Sequence, residues 1–479
     1  MRLFRRILLG VFLAVAALAV LFLVFVGPWP TYSTLDFEQA GYYEEALDAA
    51  ETRLAESALG APGALAAGWD AASITPATGT PLAGFSNRFN LTPGNLLLGK
   101  HEGDKVSTGV RDPLYAKALA LSDGDDTVVL VGADMLLVPP NVAEEVRTRV
   151  EAQTGLTEND LLFGASHTHC GPGGWGPGVA SRITGGEYDE AVVTLLADAF
   201  TRAIIGAHDA LEPARMVHDS VDASEYIKNR ARKGPVDGEL SYLHVVQDDG
   251  DACFLTSFSA HPAYGSDMLE FTSDYPGALQ RTLAEAADAE VVYLGGALGS
   301  MSARAPAAAT DAARVEAMGE ALAKLILADI QGAAAADYIR ELDIASVGLP
   351  LDMPSLQVRP VSPKWRVSPL LRHVATLPAE GWLQGVRVGD VFFVALPFDF
   401  SGEISAEWKD WAANQGYDLW TTSFNSAYCG YLSPDKYYLE EPLNYETGLM
   451  AWFGPENEAY FTALFQHLFG LMTDAEEAA

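Results

Sequence analysis

An uninterrupted apolar run near the N-terminus places the strongest constraint on how this chain folds. Residues Ile7 to Val26 include no charged side chain, and as a helix they would span about 30 Å, the hydrocarbon thickness of a bilayer. Arg2, Arg5 and Arg6 precede the run, and such positive flanks stay on the cytoplasmic side. The run predicts a single-pass membrane helix with a cytoplasmic N-terminus and a periplasmic or extracellular remainder.

A cleaved signal peptide is the alternative interpretation of this run. The run is longer than the core of a usual signal peptide, and the residues VGPWP at 26–30 contain no clear small-x-small cleavage site. We therefore favour a signal anchor at 1–30, with Trp29 and Tyr32 at the membrane interface. A helical juxtamembrane stalk is predicted at 31–68, where an Ala-, Glu- and Leu-rich segment from Leu35 to Ser57 lacks proline. One large domain would follow at 69–479.

The charge and the cysteines limit the classes of protein that fit. The net charge is −34, with 64 acidic against 30 basic residues, and such a surface repels phosphate backbones, which excludes nucleic acid as a partner. The sequence says nothing about protein partners. Cys170, Cys253 and Cys429 allow one disulfide at most. We interpret them as small buried hydrophobes, with a bridge from Cys170 to Cys429 as the alternative.

The order of apolar strands and amphipathic helices predicts a mixed α/β domain. Residues 127–133 (TVVLVGA) are typical of a strand, 141–154 of an amphipathic helix, and the apolar run from Leu161 of a second strand. Strand, helix and strand form a βαβ unit, and open α/β sheets bind ligands at the carboxyl ends of such strands. We expect a single catalytic domain with a mixed β-sheet core flanked by helices.

The second strand of this unit leads into LLFGASHTHCGPGGW at 161–175. His167 and His169 would share one face of a strand, and the glycines would let a substrate approach the backbone. His261 before Pro262 and Asp399 after Pro397 also follow apolar strands. Neutral imidazoles with a carboxylate, without a thiolate cluster, suit zinc with one position open for water.

These motifs resemble the neutral/alkaline, non-lysosomal ceramidase family in its N-terminal catalytic domain. HTH followed by GPGG is highly specific, and the other motifs add weight through their order. The similarity runs from Trp69 to the region of Gly454. The matching segments are DAASITP at 70–76, GTPLAG at 79–84, DPLYA at 112–116, HTHCGPGG at 167–174, NR at 229–230, HP at 261–262, LGSMS at 298–302, GY at 430–431 and YE at 445–446.

The resemblance implies a zinc-dependent hydrolysis of the amide that joins a fatty acid to a sphingoid base, as in ceramide. It implies that a lipid amide is the substrate and that the membrane holds the enzyme near it. The implied zinc ligands are His167, His261, Asp399 and Tyr431. The implied catalytic residues are His169 for proton transfer, Arg230 and Tyr445 for substrate or oxyanion contacts, and Ser302 as nucleophile or substrate contact.

Several positions depart from the family pattern. Cys170 stands where the family has serine, the loop before Ser302 differs, and Asp399 replaces a longer glutamate. Glu403 is the alternative carboxylate, and we favour Asp399. Without the resemblance, Tyr431 would be interpreted as a packing aromatic. Two other functions stay open: a zinc hydrolase of another amide or ester, and a catalytically inactive cell-surface binding protein.

Overall fold

The computed structural model describes residues 2–28, 37–56, 61–92, 94–95, 99–354, 356–368 and 380–473. The predicted interface residues Trp29 and Tyr32 lie outside these ranges. Within them the domain has four layers, in which helices cover the outer faces of two stacked β-sheets. The mixed α/β prediction is confirmed.

The larger sheet has eight strands in the order β8-β7-β6-β5-β1-β2-β3-β4. Pairing is parallel between β3 and β4 and between β7 and β8, and antiparallel elsewhere. The strands are β1 (Ala66–Ser73), β2 (Tyr115–Ser122), β3 (Thr127–Ala133), β4 (Leu161–Ala165), β5 (Glu212–Asp222), β6 (Glu239–Gln247), β7 (Ala252–Phe258) and β8 (Glu290–Gly295).

The smaller sheet stacks on the larger one. Its strands, in sheet order, are β9 (Ile344–Asp352), β10 (Glu380–Val388), β11 (Val391–Ala395) and β12 (Asp418–Thr422). Successive side chains in a strand point to opposite faces, so Leu130 packs against the smaller sheet while Val129 and Val131 pack against helices. Both faces of the central strands are therefore buried, as their continuous apolar sequences indicate.

Nine helices of at least eight residues belong to the described part of the chain. The third and fifth cover β1 to β4, the sixth and seventh cover β6 to β8, and the second, eighth and ninth cover the smaller sheet. They are α1 (Arg2–Phe25), α2 (Gly41–Glu56), α3 (Pro140–Thr154), α4 (Gly178–Gly185), α5 (Glu190–Asp209), α6 (Asp274–Ala287), α7 (Asp311–Ile330), α8 (Gly402–Ala413) and α9 (Asn457–Met472).

Helices α1 and α2 refine the predicted N-terminal organisation. α1 is long and apolar enough to cross a membrane, and no residue in the most apolar part of Phe4–Phe25 is buried. α5 passes the same test of length and composition, but half of it is buried in the core. The boundaries 1–30, 31–68 and 69–479 stay a prediction. α2 is nevertheless packed on the smaller sheet, because Ala46, Ala50 and Leu54 are buried in its core.

The predicted βαβ unit is confirmed, since β3 and β4 are parallel and α3 lies between them in the chain. The alternative disulfide is wrong. Cys170, Cys253 and Cys429 are all buried as thiols, and Cys170 Sγ lies against the backbone of Gly265. The cysteines therefore act as small core residues, as the main interpretation held.

Candidate active site

His167 lies beyond the end of its strand. β4 ends at Ala165, and His167 has a φ of 63°, in the left-handed region that few non-glycine residues adopt. The prediction that His167 and His169 share one face of a strand is therefore wrong, because His167 lies in the loop after the strand. A turn in the loop brings the two rings together, with centroids 4.9 Å apart.

Two contacts fix the His167 imidazole. Its Nδ1 lies 2.6 Å from the Leu136 carbonyl, and because a carbonyl only accepts, Nδ1 must carry the proton. The Phe424 ring stacks on the imidazole at 4.1 Å with an interplanar angle of 2°. The Nε2 lone pair of His167 is thus left for a ligand, as is usual for a histidine that binds metal.

His169 is held between an aromatic ring and a glycine. The Phe85 ring lies 4.6 Å from its imidazole. A Cβ at Gly84 would stand 2.6 Å from His169 Cγ, so only glycine admits this close approach. His169 Nε2 is 2.9 Å from His261 Nε2, and its Nδ1 is buried without a hydrogen-bond partner among the described residues.

His261 follows β7 and completes a group of three imidazoles. One ligand atom from each of His167, His169 and His261 can be chosen so that all lie within 4.8 Å of one another. Arg230 Nη2 is 3.1 Å from His261 Nδ1. The Leu298 carbonyl lies 3.4 Å from the same nitrogen.

The three imidazoles are neutral near pH 7. Burial, together with the positive charge of Arg230, lowers the pKa of His167 to about 3 and lowers those of His169 and His261 well below 6.5. A neutral imidazole keeps a nitrogen lone pair, which is the form that binds a metal ion.

Arg230 connects the imidazoles to a second group of polar residues. Its Nη2 donates to the Tyr431 hydroxyl at 2.8 Å and to the Gly299 carbonyl at 2.9 Å. Tyr445 also lies near this guanidinium; burial raises the pKa of Tyr445, and the positive charge of Arg230 partly offsets that rise. Burial lowers the pKa of Arg230, but Tyr431, Tyr445 and nearby carboxylates outweigh burial and raise it. Arg230 thus stays charged.

Asp399 and Tyr431 are brought together by two short parallel strands. Asp399–Phe400 pairs with Tyr431–Leu432, with Asp399 opposite Tyr431. Burial raises the pKa of Asp399 to about 7, although Arg230 and a hydrogen bond from Tyr431 lower it. Asp399 Oδ1 has no hydrogen-bond partner among the described residues. An unpaired buried carboxylate oxygen is costly unless a cation faces it, so Asp399 fits the role of a metal ligand.

Glu403, the alternative carboxylate, has other contacts. It lies at the start of α8, where Lys436 Nζ is 3.1 Å from Oε2. Asn229 Nδ2 and the Tyr437 hydroxyl lie 3.4 and 3.3 Å from Oε1. These contacts compensate its charge locally and favour Asp399 as the ligand.

Ser302 lies opposite Lys228 in a short antiparallel pair of strands, Met301–Ala303 and Ile227–Asn229. Its Oγ is buried and has no hydrogen-bond partner in the described part of the chain. No described side chain is therefore placed to take its proton, as a serine nucleophile requires.

The site is built from both sheets. β4 and β7 of the larger sheet lead to the histidines, whereas Asp399 and Tyr431 follow β11 and β12 of the smaller sheet. Ligand atoms of the three imidazoles lie within 4.8 Å of one another and fit a borderline-soft divalent ion such as zinc, whereas Asp399 is not a member of that group. Arg230 connects Tyr431 to the imidazoles. Sequence reasoning missed Phe424 and Phe85, because an aromatic in a loop carries no signal of what it stacks on.

Comparisons with known proteins agree with the predicted resemblance. Residues 94–263 match the family described as neutral/alkaline non-lysosomal ceramidase, N-terminal. The neutral ceramidase of Mycobacterium tuberculosis is 29% identical over 126 residues, which cover 25% of this chain and 20% of that protein. The neutral ceramidase of Oryza sativa subsp. japonica is 24% identical over 213 residues, which cover 40% and 27%. These matches span only a fifth to about a quarter of the relatives' length.

Two solved structures share the fold. The neutral ceramidase from Pseudomonas aeruginosa has a TM-score of 0.69 at 17% identity, covering 87% of this chain and 76% of that chain. A structure titled ceramidase complexed with C2 has a TM-score of 0.71 at 16% identity, covering 87% and 77%. Residues 94–263, which match the ceramidase family, contain the three histidines and Arg230. Four other predicted site residues lie outside that segment, namely Ser302, Asp399, Tyr431 and Tyr445.

Proposed function

We propose that this chain is a zinc-dependent amidohydrolase that cleaves the N-acyl amide of a membrane lipid. Ceramide is the first substrate to test, with a fatty acid and a sphingoid base as products. The observation that carries the proposal is the convergence of His167, His169 and His261 next to Arg230. Support comes from the ceramidase match, which spans these four residues.

The proposed ligands are His167, His261, Asp399 and Tyr431. Each offers a nitrogen or oxygen atom of the kind that zinc prefers. When bound, zinc would polarise the amide carbonyl and lower the pKa of a water molecule towards 7. His169 lies close enough to the other imidazoles to serve as a further ligand, and we assign it to proton transfer because its Nδ1 is unpaired.

The remaining roles follow from charge and position. Arg230 is positively charged and adjoins His261, so its guanidinium would stabilise negative charge on the carbonyl oxygen. Tyr445 would donate a hydrogen bond from its phenolic hydroxyl to the same oxygen. His169 would accept a proton from the attacking water and deliver it to the leaving nitrogen. Ser302 would contact the substrate, since no base faces its hydroxyl.

We also propose that α1 anchors the enzyme, with its N-terminus in the cytoplasm and the catalytic domain periplasmic or extracellular. The apolar side chains of α1 are exposed, which is costly in water and favourable in lipid. Arg5 and Arg6 at its start support the orientation. The anchor would hold the site near an insoluble substrate.

Metal analysis combined with a substrate panel tests this function. Protein purified without added metal should carry one zinc per chain and should cleave fluorescent ceramide in preference to soluble amides and esters. His167→Ala should lose both zinc and activity. The matched control is His208→Ala, which removes a part-exposed imidazole that pairs with Asp209 among the described residues. Full zinc content and activity in His167→Ala would refute the proposal, and stoichiometric zinc without turnover would favour a binding protein.

A further inference from the structure

Apolar side chains are exposed beside the candidate site. Outside α1, eight large apolar residues of the described chain are exposed, and the three most exposed are Leu439 at 67%, Val361 at 59% and Leu449 at 49%. Surface apolar residues are normal when single, but a cluster indicates an interaction site.

These three residues surround one buried arginine. Arg359 donates from its guanidinium to the carbonyls of Tyr438 and Thr447, and its backbone N–H donates to the Gly448 carbonyl at 2.7 Å. Leu439 follows Tyr438, and Leu449 follows Gly448. Val361 lies two residues beyond Arg359. The three side chains therefore belong to one surface, which we call the Arg359 rim.

The Arg359 rim adjoins the site through Tyr445. Tyr445 precedes the helical turn Glu446–Met450 that carries Leu449, and its hydroxyl lies near enough to Arg230 for the two groups to shift each other's pKa. Asn444 Nδ2 donates to the Ala231 carbonyl at 3.0 Å, which holds the same loop against the residues that follow Arg230.

The Arg359 rim is also joined to the end of the proposed membrane helix. Directly after α1, Val26–Gly27 pairs with Arg366–Val367, and the N–H of Ser368 donates to the Phe25 carbonyl at 2.7 Å. The N–H of Val367 in turn donates to the Val358 carbonyl at 2.8 Å, next to Arg359. The helix exit and the rim are thus linked by continuous backbone hydrogen bonds.

Two further features suit a lipid surface. Trp365 lies beside α1, with its ring 6.4 Å from that of Phe22, and Lys364 next to it is exposed. Tryptophan and lysine are typical of the membrane interface. Arg232 pairs with both Glu440 and Glu446, so these two acids add little repulsion beside the rim.

We propose that the Arg359 rim docks on the bilayer that α1 spans, so that the lipid substrate enters the site directly from the membrane. The inference rests on the proposed anchor and amidohydrolase function. It identifies the Arg359 rim as the face of the domain that meets the membrane, and its three exposed apolar side chains as those that enter the headgroup region. The partner is a zwitterionic lipid surface, because a chain of net charge −34 is repelled by an anionic one.

Site-specific labelling tests the docking without any need for turnover. The three native cysteines are buried, so a polarity-sensitive fluorophore would label Leu439→Cys or Leu449→Cys selectively in the full chain. In phosphatidylcholine nanodiscs, lipids with a quencher on the acyl chain should reduce emission at both positions about twofold. Ile339→Cys is the control, since Ile339 is 36% exposed and hydrogen-bonds to Met216 in β5.

Absence of quenching at Leu449→Cys, or equal quenching at Ile339→Cys, would overturn the docking. A kinetic test complements the labelling. The double variant Leu439→Ser/Leu449→Ser should cleave ceramide in phosphatidylcholine bilayers roughly tenfold more slowly, because two apolar anchors are lost. Its hydrolysis of a short-chain N-acyl amide in solution should be unchanged, and equal loss on both substrates would also overturn the inference. If the wild type cleaves neither substrate, the proposed function fails, while the quenching result still decides the docking.

Discussion

Gly84 offers a sharp test of the candidate site, because a single methyl group there should displace His169. A Cβ at Gly84 would lie 2.6 Å from His169 Cγ, 2.7 Å from Nδ1 and 2.8 Å from Cα. Since the backbone Cα is among the contacts, rotation of the His169 side chain alone would not relieve the overlap. Gly84 also has a φ of 105°, which disfavours any residue with a Cβ.

The same motif contains a matched control. Gly79 has a φ of 101°, but a Cβ there would meet no atom within 4 Å. Gly79→Ala should therefore cost only the backbone strain, about 1–2 kcal/mol in the free energy of unfolding. Gly84→Ala should add overpacking of about 1–3 kcal/mol, for a total of roughly 2–5 kcal/mol. Displacement of a catalytic group by about 1 Å should also lower kcat/KM on the order of 100-fold.

Urea unfolding and ceramide hydrolysis, measured for both variants, check this prediction. Gly79→Ala should keep its activity, and Gly84→Ala should lose both stability and activity beyond that control. If the two variants have the same free energy of unfolding and the same kcat/KM, the close packing of Gly84 on His169 does not position the imidazole, and the reasoning is refuted.

Three more predictions concern single side chains. Asp399→Asn should lose zinc, measured by elemental analysis, while Glu403→Gln should keep it because Glu403 is engaged by Lys436; zinc loss in Glu403→Gln alone would contradict the assignment. Tyr431→Phe removes a proposed ligand, so zinc affinity measured by chelator competition should fall about 10–100-fold; unchanged affinity would contradict the role of Tyr431. Burial lowers the pKa of His218, but bonds to Asp390 and Asp418 outweigh it and raise the pKa to about 9. The charged pair should stabilise the fold fully below the unfolded pKa of about 6.5, and roughly 1–2 kcal/mol should be lost as the pH rises through 9. Urea unfolding between pH 6 and 10 checks this, and His218→Gln should show no such loss.

Local patterns predicted the elements that carry the histidines. The β-branched run before Asp134 and the apolar run before His167 are strands because their side chains are buried on both faces. The observed element boundaries differ from the predicted ones by only a few residues, because caps and turns determine where an element ends. The helix predicted at 141–154, for example, is α3 and begins at Pro140. The conformation of His167 was not predictable, since a left-handed φ at a histidine depends on the tertiary contacts with Leu136 and Phe424.

The other half of the site needed more than local patterns. Asp399 and Tyr431 are 32 positions apart in sequence and more than 200 from His167, and only the stacking of the two sheets brings them close. Family motifs indicated these residues, while composition alone would have made Tyr431 a packing aromatic. Of the smaller sheet, the sequence indicated only the strand before Asp399, which is β11, whereas the other three strands and helices α8 and α9 were not predicted.

The distribution of the site over two sheets has a consequence for how the protein matures. In the proposed ligand set, imidazoles supplied by one sheet and oxygen atoms supplied by the other would come together only after the layers have stacked. An ion captured there would cross-link the two halves of the sandwich, so that acquisition of the metal completes the folding of the domain. Metal-free protein should accordingly exchange its amide hydrogens fastest along Asp399–Phe400 and Tyr431–Leu432, the paired segments next to the histidine loops.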